Sequence, residues 1–280
     1  MRNRFPPILL AALLLFCAAE SVRAAGIQWT ASYADAAALA KKTDKPILLV
    51  FTTDWSGWGR KLETETFADI KIVALSEKFA AFKADAEKTG AEQAKKYGVS
   101  TFPTTLALNA DGKIIGKAVG YETADVFAGH LADWLRASKE IPLLQAALVK
   151  NPKDGEAAAK LAAYTAAQGD AERTIDLLKI VESNGAKNAD LAATYNAIAD
   201  VYQERQDYEQ AIPLFKKAAA VARDPKNLAY AHISLGVCYL EQAKSAEALP
   251  EFRATAAIPN APADLKKQAL DLLKRLQNEP

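Results

Sequence analysis

Leu161-Ala162, Ile198-Ala199 and Leu235-Gly236 recur at intervals of 37 residues. Around them Thr165, Tyr202 and Tyr239 share a register, as do Thr174, Ala211 and Ala248, then Leu178, Phe215 and Phe252, and the prolines Pro213 and Pro250. Repeating units of this size bury their apolar faces against one another rather than in one central core. Because the repeats occupy only the later part of 280 residues, the chain must divide into at least two units. Strand signals vanish from about Ile141 onward.

The earlier part reads differently. Trp29 opens a short strand, and Tyr33 to Lys42 is an alanine-rich helix. Pro46 precedes Ile47-Leu48-Leu49-Val50-Phe51, an apolar run of buried-strand length. A helix is expected from Trp58 through Glu65, a strand over Ala81 to Asp85 and a helix over Ala91 to Tyr97. Strands over Thr104 to Asn109 and Lys113 to Val119 meet at Asn109-Ala110-Asp111-Gly112, a hairpin signal. A last helix, Ala124 to Ala137, carries Phe127, Leu131 and Trp134 at helical spacing. This order predicts an α/β sheet with helices on both faces.

The first residues read as an address. Arg2 and Arg4 precede twelve apolar residues, Ile8 to Ala19, and Val22 and Ala24 have the spacing of a cleavage site. Twelve residues span about 18 Å as a helix, short of a ~30 Å bilayer core, so the reading is a cleaved signal peptide over residues 1–25 with no membrane span afterward. A periplasmic or secreted location follows. Phe16 before Cys17 argues against a lipoprotein signal. Cleavage would shift the formal charge from +1 to −1 and leave Cys238 as the single thiol, too few for an internal disulfide. Near-neutral charge excludes a general attraction for nucleic acid, and two Cys with two His give no zinc cluster. No metal and no cofactor are expected.

Asp54-Trp55-Ser56-Gly57-Trp58-Gly59-Arg60, lying between a strand and a helix, resembles the active-site turn of thioredoxin-like proteins. Tyr97-Gly98-Val99-Ser100-Thr101-Phe102-Pro103-Thr104 resembles that family's cis-proline segment. The resemblance implies a thioredoxin-like domain over residues 26–139. In the family, a thiolate at the helix N-terminus attacks a disulfide and a second cysteine resolves it. Here Ser56 and Gly59 occupy those positions, and Val50 stands where many members carry a buried acid. Dithiol exchange is therefore excluded, and no catalytic residue is assigned. The histidines His130 and His232 form no hydrolase pattern with Ser56, which is read instead as the cap of the following helix. What the resemblance leaves is a surface: with Pro103 cis, Trp55, Trp58, Phe102 and Pro103 cluster at one edge as peptide-binding candidates.

The repeats resemble the tetratricopeptide family, with three extra residues in each inter-repeat turn. The expected α-helical array spans 140–280: a half repeat over 140–152, repeats near 155–188, 192–225 and 229–260, and a capping helix over 263–277. Such arrays bind peptides on the face of each first helix, where Asn196, Asp200, Gln203 and Tyr230 are the candidates here. With only Lys160 and Asn196 available there, clamping of a carboxylate on that face is not expected. The combined reading is an exported, non-catalytic adaptor for a protein or extended peptide. The alternative is an accessory role in thiol–disulfide homeostasis, either beside a partner oxidoreductase or through Cys238 as a single thiol.

Overall fold

The computed structural model describes residues 26–187 and 190–278, so the signal-peptide reading of residues 1–25 lies outside the described residues. Helix α1 (Tyr33–Thr43) leads into β1 (Ile47–Thr52), and α2 (Gly57–Lys61) follows the turn after it. Next come α3 (Ile70–Ser76), β2 (Ala80–Asp85), α4 (Ala91–Lys96), β3 (Thr104–Leu108), β4 (Ile114–Val119) and α5 (Ala124–Lys150). The sheet order is β2-β1-β3-β4, with β1 parallel to β2 and the other two pairs antiparallel. Trp29 makes a single bridge to Ala81 rather than a strand.

The apolar run of β1 is buried on both faces because helices cover both. Ile47, Leu49 and Phe51 pack with Ala36 and Ala40 of α1 and Ala94 of α4. Leu48 and Val50 face Ile72 of α3 and Phe127 and Leu131 of α5. The helix expected over Trp58 to Glu65 is two pieces: α2 passes into a π-helical turn, Leu62–Thr66, where Phe67 N–H donates to the Leu62 carbonyl at 2.9 Å. The wider turn buries both Leu62 and Thr66. Helix α3 was not anticipated, since Ile-Lys-Ile-Val reads as easily as a strand; Asp69 caps it by accepting from Lys71 N–H.

The division expected at residue 139/140 falls inside α5, whose 27 residues run through Pro142 without a break. Phe127, Leu131, Trp134, Ala137 and Ile141 are buried along one stripe, and Leu144 and Leu148 extend it beyond the proline. Pro142 removes one helical hydrogen bond, but a stripe packed on both sides of it holds the helix together. The last helix of the sheet unit and the expected half repeat are thus one element, and the two units share a core that reaches from Leu48 to Tyr195.

Three helix pairs follow: α6 (Gly155–Ala167) with α7 (Ala171–Asn184), α8 (Ala192–Glu204) with α9 (Tyr208–Val221), and α10 (Pro225–Glu241) with α11 (Ser245–Ala257). Helix α12 (Ala263–Asn278) closes the array against α11. The registered positions Leu161, Ile198 and Leu235 are all buried, as are Leu178, Phe215 and Phe252. The first repeat departs from the pattern at Thr165 and Thr174, and the two hydroxyls satisfy one another: Thr174 Oγ1 donates to Thr165 Oγ1 at 2.7 Å. Helix α10 begins at Pro225, four residues before the expected 229, because Asp224 caps it by accepting from Asn227 N–H at 2.9 Å.

Candidate functional site

The turn after β1 places Ser56 at the N-cap of α2, where its Oγ accepts from Gly59 N–H at 3.0 Å. The side chain is buried and its hydroxyl lies 3.5 Å from the Phe102 carbonyl, which it reaches as donor. Neither histidine hydrogen-bonds to it: His130 pairs with Glu122 at 3.2 Å and stacks on Trp134, and His232 pairs with Glu251 at 2.7 Å. A buried hydroxyl engaged in capping, with no base beside it, is not an activated nucleophile.

Gly59, the second degenerate position, is buried for a steric reason that the sequence did not disclose. A Cβ there would stand 2.3 Å from Thr52 Oγ1 and 3.2 Å from Ser56 Oγ. The Thr52 hydroxyl, at the end of β1, thus occupies space that a resolving thiol's carbon would need.

The Phe102–Pro103 peptide bond is cis, and the Pro103 carbonyl accepts from Gly120 N–H at 2.8 Å. Trp55 is 63 % exposed and Trp58 60 % exposed. The structure brings Trp55 edge-on to Phe102, with ring centroids 6.1 Å apart, and Trp55 Nε1 donates to Glu87 Oε1 at 3.0 Å. Trp58 pairs instead with Tyr121, centroids 5.7 Å apart, and Lys61 Nζ lies 5.5 Å from the Trp58 ring and 4.5 Å from the Tyr121 ring. Tyr121 OH donates to Glu65 Oε2 at 2.6 Å. Tyr121, Glu65 and Glu87 went unrecognised in the sequence. Gly120-Tyr121 directly follows β4, and only the pairing of β4 beside β3 carries it to this edge.

In the array the four candidates separate. Asn196 is buried, and its Nδ2 donates to the Asn227 carbonyl at 3.1 Å. It is turned toward α10 rather than an open surface, and its Oδ1 is buried without a hydrogen-bond partner. Asp200, Gln203 and Tyr230, joined by Glu204, line an open cavity of about 400 Å3. Tyr230 OH donates to Asp200 Oδ2 at 3.0 Å. Burial pushes the Asp200 carboxyl up to about 6, against that hydrogen bond and with the Glu204 carboxylate adding to the rise. Burial likewise pushes the Tyr230 phenol up to about 12.

The folded state therefore holds the Asp200 proton to higher pH than an unfolded aspartate, which ionises near 3.8. Its contribution to stability is complete below that value and is lost as pH rises through about 6. Asp200→Asn is expected to flatten the stability profile between about pH 4 and 6, read by urea unfolding at several pH values. A slope identical to that of the unaltered chain would contradict this account of Asp200.

Cys238 is fully buried in α10. Burial pushes its thiol up to about 12, with the Asp200 carboxylate contributing, so almost no thiolate exists at neutral pH. Single-thiol chemistry finds no support in this environment. Among the described residues no group of side chains is placed to hold a metal ion, and no helix is long and apolar enough to cross a membrane.

A family model described as a thioredoxin-like domain matches residues 33–134, and a tetratricopeptide-repeat model matches residues 190–260. No curated protein matches the chain. Among solved structures, one named DsbH oxidoreductase is 24 % identical, the match covering 40 % of this chain and 86 % of that one with a TM-score of 0.37. A thioredoxin from Thermus thermophilus is 21 % identical, with 39 % and 86 % covered and a TM-score of 0.36. A proposed disulphide-isomerase from Bacteroides thetaiotaomicron is 30 % identical, with 41 % and 94 % covered and a TM-score of 0.35.

Proposed function

With residues 33–134 a thioredoxin-like domain and residues 190–260 tetratricopeptide repeats, we propose that this protein is an exported, non-catalytic adaptor that binds extended protein segments. The observation that carries the reading is the pair of tryptophans, Trp55 against Phe102 and Trp58 against Tyr121, left more than half exposed at a turn holding Ser56 and Gly59 in place of thiols. Exposed aromatic rings supply contact area at low entropic cost, and their fixed partners Phe102 and Tyr121 keep them oriented. The acidic cavity of Asp200, Gln203 and Tyr230 gives the array a second contact for a longer segment. Export rests on the charged and apolar pattern of residues 1–25.

Titration with carboxymethylated insulin B chain, an extended thiol-blocked probe, tests the reading. Trp55→Ala combined with Trp58→Ala is expected to weaken binding by about tenfold or more, since anchoring aromatics dominate such interfaces. Unchanged affinity in the double variant, or catalytic reduction of intact insulin by the unaltered chain, would refute it. The same edge could also present substrates to a partner oxidoreductase, which is the form of the thiol–disulfide reading compatible with a buried Cys238.

A further inference from the structure

The β3–β4 hairpin and helices α5 to α7 enclose two open cavities of about 520 and 430 Å3. Lys113, Gln145, Leu161 and Arg173 line both, so the two are halves of one cleft. Lys113 comes from the hairpin and Arg173 from α7, and only the junction of the sheet unit with the array brings the two cations together. Neither has an ion-pair partner among the described residues. Of the carboxylates nearby, Asp170 caps α7 by accepting from Arg173 N–H at 3.2 Å, and Asp176 pairs with Lys179 at 2.9 Å. Asp111 lines only the larger half. The smaller half joins Lys113, Gln145, Arg173 and Asp176 to an apolar wall that includes Leu148, Leu177 and Val149. Val149 is 84 % exposed, more than any other large apolar side chain described.

We propose that this cleft binds the C-terminal end of an extended partner segment, with its free carboxylate at Lys113 and Arg173 and its last apolar side chain against Leu148 and Val149. Although Asp111, Asp170 and Asp176 also line the cleft, Lys113 and Arg173 make no ion pair among the described residues and are left to meet one carboxylate, to which charge-assisted hydrogen bonds from Arg173 give direction. The side-chain amides of Gln145 and Gln168 line the cleft and make no hydrogen bond within the described chain. They suit the peptide groups of such a segment, whereas a fatty acid of the same charge would lay hydrocarbon against them. The cleft uses none of the aromatic edge, so the two sites stand or fall separately.

Fluorescence anisotropy of the full chain with a fluorescein-labelled Gly-Ser-Gly-Leu-Val-Leu peptide provides the test. The free-acid peptide is expected to bind, and its C-terminal amide to bind about tenfold more weakly or less. Arg173→Ala and Lys113→Ala should each weaken the acid peptide severalfold at unchanged thermal midpoint, because both side chains are exposed, while the Trp55/Trp58 double variant should bind it normally. Absence of binding by the acid peptide, equal affinity for the amide, indifference to both cation removals, or displacement by dodecanoate would each overturn the proposal.

Discussion

Replacing Gly116 with alanine is expected to destabilise the whole protein, although only one methyl group is added. The new Cβ would lie 1.9 Å from Trp134 Nε1 and 2.0 Å from its Cδ1. Trp134 cannot simply step aside: it is 5 % exposed, meets Phe127 edge-on at 6.1 Å and stacks on His130 at 5.5 Å. Overpacking of this kind costs about 3 kcal/mol, and each kcal/mol lowers the thermal midpoint of a chain this size by about 2–4 °C. The effect should reach the array, because Trp134 belongs to the same unbroken α5 that carries Ile141 and Leu148. Calorimetry is the measurement. Adding Trp134→Phe should recover part of the loss, making the pair non-additive by about 1 kcal/mol. An unshifted midpoint in Gly116→Ala would show that the ring has room that this packing denies it.

The second large effect concerns the missing thiols. Ser56→Cys with Gly59→Cys restores both sulfur positions in sequence, yet the pair is expected to reduce insulin poorly. The Cβ of residue 59 would fall 2.3 Å from Thr52 Oγ1, and a β-branched side chain on a strand has few rotamers to retreat to. Adding Thr52→Ala removes that atom. The triple variant is then expected to exceed the double by about tenfold to a hundredfold, the scale on which a reacting group misplaced by an ångström costs rate. The insulin turbidity assay reads this directly, with the unaltered chain as the zero. Equal activity of the double and triple variants would mean that Thr52 has no part in shaping the turn.

Much of the molecule was legible in the linear pattern. The five-residue apolar run of β1, the Asn-Ala-Asp-Gly hairpin and the 37-residue register each depend on local spacing, and the elements formed where those signals stood. Boundaries that depend on a partner were harder. The division expected at residue 139/140 has no counterpart in α5, which runs on through Pro142 because the buried stripe ending at Ile141 continues into the partly buried Leu144 and Leu148. The π-helical turn after α2 owes its extra residue to the burial of Leu62 and Thr66, which no propensity encodes.

The candidate site divides in the same way. One part is a matter of residue identity: Ser56 and Gly59 carry no thiol in any conformation, so this turn holds no dithiol. The exposure of Trp55 and Trp58, the burial of Asn196 and Cys238, and the Tyr121 ring beside Trp58 were decided by tertiary packing. The same holds for Thr52 filling the space beside Gly59 and for Lys113 and Arg173 lining one cleft. Periodicity tells which face of an element is apolar, because side-chain direction follows the backbone repeat. Which neighbour covers that face is set by contacts between residues far apart in the chain, and these form only when the sheet and the array close on one another around α5.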